Sequence, residues 1–595
     1  MDLNFEVYKK KVYGCFTGKC VGGTLGMPFE GKKNVNPITY YDPVPTEMLP
    51  NDDLDLQVVN LETLLRTGLP VSRHHIGEIW RHHLEDSAPD EYSVAVANHQ
   101  LGLRGPLSGQ YRNKFHSGMG GAIRSELWAC LAPANPALAA LLAREDACTD
   151  HTGDGIYAEM FLAAVESAAF VEDDLEKLVQ TGLSFVDEKS KLYSVFSDVL
   201  RLYKETNDVL AVRSYILDTY PSDNFTDVTI NISFVLLALI ASDGSFDKAI
   251  CTAVSLGYDA DCTGATVGSI FGIMKPDDID TKWTKPIGDN LVLSPCIVNM
   301  HNGNTIRQFC DTIMATALHV QDYYRTGIQI TAPDSLPEVK LADSWTDDFE
   351  SLYAWNVGDR ESLLTGLPCL VSLVYPEEVA GEPGKSKVYG LKLRADKAMS
   401  GTVQLYVPEK WQVHPSVLSF DLVPGESKLL SFSATPDAIQ GLRGQKNLLT
   451  MRFCINGISF VLEAGLPISC PWLVTDAAGN ESVYEATSIY FPVPEGAYRY
   501  KTRVNATAQK NVRIACAGTR PFILFINGEN VFSGDGSSYV PAFHRGYSAT
   551  TVSLRNGPDN IIELVLPEHA AGEMFFGFST TFGCATWLDT IERTL

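Results

Sequence analysis

GYDADCTGATVGSIFGIM, residues 257–274, is the stretch on which the reading of the fold turns. Gly264, Gly268 and Gly272 recur every four residues, so in a helix they line one face, along a row that helices use when they cross. Small residues in such a row let another backbone come close. The segment is therefore expected deep in a helical bundle, with Asp259 and Asp261 held at its N-terminal end.

The sequence around it keeps the helical period. Leu54, Val58, Leu61 and Leu65 stand at i, i+4, i+7 and i+11 and predict one apolar helix face. Residues 156–171 are rich in Ala, Met and Leu, with Glu159 and Glu166 seven apart on one side. Residues 232–241 are almost wholly apolar, which suits a central helix. Strand-like alternation is scarce, and residues 1–330 are read as one all-α domain.

Residues 331–361 turn acidic and aperiodic (Asp343, Asp347, Asp348, Glu350) and are read as a linker. Beyond them strands are expected at 370–375, 387–393, 402–407, 428–434 and 448–455, short and punctuated by Pro and Gly. GTVQLYVPEKW at 401–411, followed by VPGE at 423–426, resembles the Ig-like modules attached to many carbohydrate-active enzymes. Residues 362–470 are accordingly read as an Ig-like β-sandwich. From 471 to 595 the pattern is similar to a jelly-roll accessory domain. Its hairpin signal is Asn527-Gly528 after the strand 522–526, and a later strand is expected at 560–566. The fold class is multidomain: an all-α domain followed by all-β sandwich domains. Trp411, Trp472 and Trp587 are read either as a sugar platform or as buried core.

The 595 residues carry a net charge of −25, which argues against a nucleic-acid or anionic-membrane partner. A small anionic substrate stays open, because one local cation can override the global field. Thirteen cysteines are scattered singly, several in apolar runs (Cys251, Cys310, Cys454), and read as reduced thiols. Neither a signal peptide nor a run of about 20 apolar residues stands out, so a cytoplasmic location is expected.

Two acidic clusters stand about two hundred residues apart, Asn51-Asp52-Asp53 and Asp259-Ala-Asp261, each before a helical run. Either alone reads as a helix cap. Together they supply four carboxylates, which repel unless a cation neutralises them. Oxygen donors without a His or Cys cage point to Mg²⁺, Mn²⁺ or Ca²⁺ rather than structural zinc.

In order and spacing these motifs resemble the ADP-ribosylglycohydrolase family, over about residues 8–325. GCFTGKCVGGTLGMPFEG at 14–31, GMGGAIR at 118–124 and Asp150-His151 agree with its other landmarks. The resemblance implies an all-α fold holding one or two Mg²⁺ (or Mn²⁺) ions, with Asn51, Asp52, Asp53, Asp259 and Asp261 as ligands. It assigns catalysis to Glu30, Asp53 and Asp261, although Glu30 also reads as an exposed loop carboxylate. Gly120, Gly121, Arg124 and His151 become candidate substrate contacts. Three positions depart from the pattern. Asn51 and Leu54 stand for the usual Thr at either end of the first motif, and Cys262 for the usual hydroxyl after the second Asp, so either Thr263 substitutes, one metal site weakens, or a softer metal such as Mn²⁺ is preferred. The implied reaction is hydrolysis of an N- or O-glycosidic bond to a sugar such as ADP-ribose. Two alternatives stay open: a carbohydrate or nucleoside-like glycoside at the same metal site, and a non-catalytic sugar binder. Oligomeric state is not legible.

Overall fold

The computed structural model describes residues 2–84, 88–300, 304–325, 328–331, 357–365, 368–438, 443–444, 446–455, 457–506, 510–537, 539–543, 547–579 and 591–595. Two compact units divide the chain. One comprises Met1–His83 and Phe115–Ala354, the other Leu84–Lys114 and Trp355–Leu595.

The first unit is helical and is built on one antiparallel helix pair. The opening helix, Phe5–Gly26, starts at Asn4, whose side chain accepts from the backbone N–H groups of Glu6 and Val7. It lies against Ala260–Met274, with Gly14, Gly18 and Gly22 facing Gly272, Gly268 and Gly264. A Cβ added at Gly18 would stand 2.0 Å from the Gly268 carbonyl oxygen, and one at Gly268 would stand 2.1 Å from that of Gly18. No side chain separates the two backbones there. The expected deep burial of 260–274 is met, and its partner proves to be a second glycine row.

Around this pair the core is unusually polar. The helix Asp52–Thr67 buries every residue from Asp53 to Leu64, whereas Leu65, assigned to its apolar face, is 52% exposed. In Asp154–Ala168 both Glu159 and Glu166 are fully buried rather than turned to water. Val228–Ile240 is buried from Val228 to Leu239, as a central helix should be.

The second unit is mostly antiparallel sheet. A five-stranded sheet orders Glu361–Thr365, Leu370–Val374, Lys387–Arg394, Ser427–Thr435 and Gln412–His414. A four-stranded sheet orders Ile458–Gly465, Leu448–Ile455, Met399–Tyr406 and Val417–Leu422. The two share one core, in which Leu391 and Phe432 of the first join Val403 and Met451 of the second. A seven-stranded and a four-stranded sheet follow, again around a common core that includes Trp472, Leu524, Leu564 and Phe576. The hairpin Phe522–Ile526 to Glu529–Gly534 turns through Asn527 and Gly528 at φ 52° and 86°, the two positive values that a tight hairpin needs.

Leu84–Lys114, read from sequence as part of the helical domain, packs with these strands. Val94 and Ala97 of the helix Asp90–Gln100 join Phe543 and Phe575, while Leu101, Leu103 and Leu107 enter the first sandwich core. Helical period says that a segment is helix but not which surface it covers. Trp472 is buried core and Trp411 packs partly buried against the first sandwich core. Trp587 and almost all of the expected linker lie outside the described residues. Every described cysteine is a free thiol, and among the described residues no helix is long and apolar enough to cross a membrane.

The glycine contact yields a direct expectation. Gly268→Leu forces its Cβ into the Gly18 carbonyl, and a backbone cannot yield as a side chain does. Urea denaturation should show a loss of about 3 kcal/mol or more, the upper end for overpacking.

Candidate metal centre

Two acidic helix starts, remote in sequence, converge in the helical unit. Asn51 caps Asp52–Thr67, its Oδ1 accepting from Asp53 N at 2.8 Å. Its Nδ2 faces Asp261 Oδ2 at 3.3 Å. The opening helix makes room for this, since a Cβ at Gly23 would come within 3.1 Å of Asn51 Nδ2. Carboxylate oxygens of Asp53 and Asp261 and the sulfur of Cys262 all lie within 4.8 Å of one another, and all three side chains are buried.

The second start is aimed by a strained approach. Gly257 has φ +77°, and a Cβ there would meet the Lys32 and Asn34 carbonyl oxygens at 2.5 Å, so only glycine fits. Tyr258 follows at φ +65°, which is costly for an aromatic residue. It is held by Tyr258 N donating to Lys32 O at 2.9 Å and Gly31 N donating to Tyr258 O at 2.8 Å. This pairing draws the 27–32 loop to Asp259 and places exposed Glu30 within electrostatic reach of Asp259 and Asp261. Asp259 N donates to Asn231 Oδ1 at 3.1 Å, and Asn231 in turn donates to Phe225 O and Asp227 O.

Electrostatics separate this cluster from ordinary ion pairs. Burial, opposed by Lys19 and reinforced by Asp52 and Glu126, pushes Asp53 up to about 7. Burial, with Asp259, Glu30 and Asp53 beside it, carries Asp261 well above the carboxylate range, and burial does the same to Asp259. Both Asp53 carboxylate oxygens and Asp261 Oδ1 lack a hydrogen-bond partner. Buried carboxylate oxygens aimed at one another without donors are the donor set a cation would use.

The other candidate residues sit as follows. Asp52, half-buried, adds its charge to Asp53 and Asp261. The Thr263 hydroxyl donates to Ala260 O at 3.2 Å, within its own helix. Gly120, Gly121, Arg124 and His151 come together with one another, fully enclosed. Arg124 donates to both Asp150 oxygens at 2.8 and 2.9 Å, to Gly120 O at 2.6 Å and to Asp146 Oδ2 at 3.1 Å. Gly121 N donates to His151 Nε2 at 3.2 Å, which leaves the His151 Nδ1 side toward Asp150, 2.9 Å away. Despite burial, Arg124 and His151 hold Asp150 below the usual carboxylate range.

Sequence reasoning passed over Lys19. Only 1% exposed, it donates to Glu126 Oε1 at 2.9 Å and Ile123 O at 3.0 Å, and its Nζ is 3.7 Å from Asp53 Oδ1. Burial opposes its charge, but Glu126 and Asp53 outweigh burial and keep it protonated. Gln57 bonds Glu126 Oε2 at 2.8 Å and Ser269 bonds Glu126 Oε1 at 2.9 Å, tying three helices together. A lone lysine among GCFTGKCVGG glycines was the available signal.

A helical unit with a buried acidic pocket where two helix starts meet is the class that fold and site define. The ADP-ribosylglycohydrolase family profile matches residues 5–322, and the chain belongs to that family. No curated protein matches it. Among solved structures, an ADP-ribosylglycohydrolase-related protein complex is similar at 18% identity and TM-score 0.37, covering 53% of this chain and 99% of that one. An anti-sigma factor domain-containing protein from Clostridium clariflavum matches at 9% identity and TM-score 0.16, covering 33% of this chain and 83% of its own. An α-L-rhamnosidase from Dictyoglumus thermophilum matches at 13% and 0.14, covering 39% and 29%.

Two expectations follow from the charges. Lys19→Met strands Glu126 and should cost about 3–5 kcal/mol in urea denaturation, while Lys19→Met with Glu126→Gln, which removes both charges, should cost less. Asp53 and Asp55 both sit near 7 through burial. A raised carboxyl stabilises the fold while protonated, fully below its unfolded value near 4, and loses that contribution as pH rises through about 7. Melting temperature in EDTA should therefore fall between about pH 5 and about pH 8, and a divalent cation should reverse the fall at the upper end.

Proposed function

We propose that the helical unit is a divalent-cation-dependent glycohydrolase whose centre is formed by Asp53 and Asp261, with Asn51, Asp52, Asp259 and Thr263 around them. The observation that carries this reading is the meeting, from two distant helix starts, of buried Asp53 and Asp261 carboxylates with three oxygens that receive no hydrogen bond, both of Asp53 and Oδ1 of Asp261. Taken by themselves, carboxylates of this kind suit one or two ions of Mg²⁺ or Mn²⁺ type. When bound, such an ion orients sugar hydroxyls and acidifies a water.

The chain's own groups do the rest. Asn51 uses its carbonyl on the Asp53 backbone and its amide on Asp261, so it fixes the distance between the two starts. Asn231 fixes Asp259 in the same way. Glu30, exposed at the edge of the cluster, is the carboxylate that exchanges a proton with the leaving group or admits the substrate. Gly120, Gly121, Arg124 and His151 hold the 118–124 loop in place, which presents the Ile123 carbonyl to Lys19 and Gln57.

The loop that carries Glu30, and the residues that pair with it, hold cations against aromatic rings. Lys32 Nζ lies 4.7 Å from the Phe29 ring centre, Lys33 Nζ 5.6 Å from Tyr258 and the Arg213 guanidinium 5.9 Å from Tyr258. A positive, aromatic rim beside an acidic centre favours a sugar that carries negative charge and a flat ring, such as ADP-ribose. The β-sandwich unit keeps a neutral carbohydrate glycoside as the second reading, because such units accompany carbohydrate-active enzymes.

Release of ADP-ribose from ADP-ribosyl-arginine, compared with a panel of aryl glycosides and repeated in EDTA, separates the two. The first substrate should turn over, and EDTA should abolish it. Asp261→Asn should lose turnover by three orders of magnitude or so while melting as a folded protein, as expected when a group acting in the transition state is removed. Full activity in that variant would refute the proposal, and saccharide protection against melting without product would favour a binder.

A further inference from the structure

We infer that Cys262 Sγ is a ligand of this centre, so that the centre takes a borderline cation such as Zn²⁺ or Co²⁺ in preference to Mg²⁺. The inference rests on the metal-binding part of the proposed function and names the donor that sets the choice of ion.

Three buried atoms form the donor set. Cys262 Sγ, an Asp53 oxygen and an Asp261 oxygen are mutually within 4.8 Å, and their side chains are 5%, 2% and 2% exposed. The carboxylate oxygens are the second, independent observation, because both from Asp53 and Oδ1 of Asp261 have no hydrogen-bond partner although buried. Bonds of about 2.0 Å to oxygen and about 2.3 Å to sulfur put such atoms roughly 3.5 Å apart around one ion, a closure within reach of side-chain torsions.

Two of the neighbouring oxygens are engaged elsewhere: Asn51 Oδ1 accepts from Asp53 N, and the Thr263 hydroxyl donates to Ala260 O. The sulfur is the donor that lies within reach of both Asp53 and Asp261. Mg²⁺ demands oxygen ligands in octahedral array and keeps several waters, which a buried cluster with a sulfur at its centre does not offer. Thiolate selects Zn²⁺ and its neighbours in the first transition row. On binding, the Sγ–H bond breaks as the Sγ–metal bond forms, and the proton leaves to solvent.

Cobalt reports the bond directly. The 595-residue chain, stripped with EDTA and titrated with Co²⁺, should develop the near-ultraviolet thiolate-to-cobalt charge-transfer band and release a proton. Cys262→Thr should lose the band and bind Zn²⁺ and Co²⁺ about ten- to a hundredfold more weakly, at least the loss seen when an outer-shell partner is removed. Its Mg²⁺ affinity should not fall. Cys20→Ser is the control, because Cys20 is a buried thiol that lines a pocket with Asp53 yet lies outside the proposed donor set, and it should keep the band. Equal melting temperatures of the metal-free proteins show that the variants fold, and Cys262→Ser carries the same expectation as the threonine variant. Co²⁺ binding without the band, or a band that survives in Cys262→Thr, overturns the sulfur ligand while leaving the metal centre intact. Failure of Co²⁺, Zn²⁺ and Mg²⁺ alike to bind overturns the centre itself.

Discussion

At Gly14, Gly18 and Gly22 the opening helix meets the 260–274 helix backbone to backbone, with a notional Cβ about 2 Å from the facing carbonyl at each contact. That absence of side chains brings the end of one helix beside the start of the other at a spacing that larger residues would prevent. Asn51 then reaches Asp261 past Gly23, and Tyr258 pairs with the loop that carries Glu30. The position of Asp259 and Asp261 beside the end of the opening helix depends on this close approach.

The helical core contains two kinds of buried charge, and their energetics differ. Around Arg124 the books are balanced: a guanidinium bonds Asp150 through two nitrogens, and Asp150 titrates below its usual range. Around Asp53, Asp259 and Asp261 all three carboxyls titrate above theirs, because burial and mutual repulsion exceed what one lysine offsets. A buried cluster that satisfies itself serves the fold. One that needs a further cation marks a place where something binds.

Much of this was legible in the sequence, for physical reasons that can be named. The glycine row at 264–272 and the turn at Asn527-Gly528 each leave a local pattern, because backbone geometry restricts which residues fit. The meeting of Asp53 with Asp261 was implied by the family resemblance, and charge said only that carboxylates so gathered would call for a cation. Arg124 and His151 were read as substrate contacts because the sequence does not show that Asp146 and Asp150 stand beside them. Lys19 was missed for the opposite reason. A lysine is taken for a solvent-facing residue unless its carboxylate partner, here 107 positions away, is known. Within 84–114 the helix Asp90–Gln100 stands as read, but the strands this segment packs with were not legible, since an apolar helix face fits either core.

That segment has a consequence for how the protein is made. Asp90 accepts from the Phe543 backbone across 453 positions of chain, and Gly102 accepts from Gly465 N. A ribosome adding about 5–20 residues per second needs roughly 20–90 seconds to traverse that gap. Over that interval Val94 and Ala97 wait for Phe543, while Leu101, Leu103 and Leu107 wait for the earlier sandwich strands that reach Leu466. The nascent chain therefore carries apolar helix faces without their cover until the strands of its second half are synthesised.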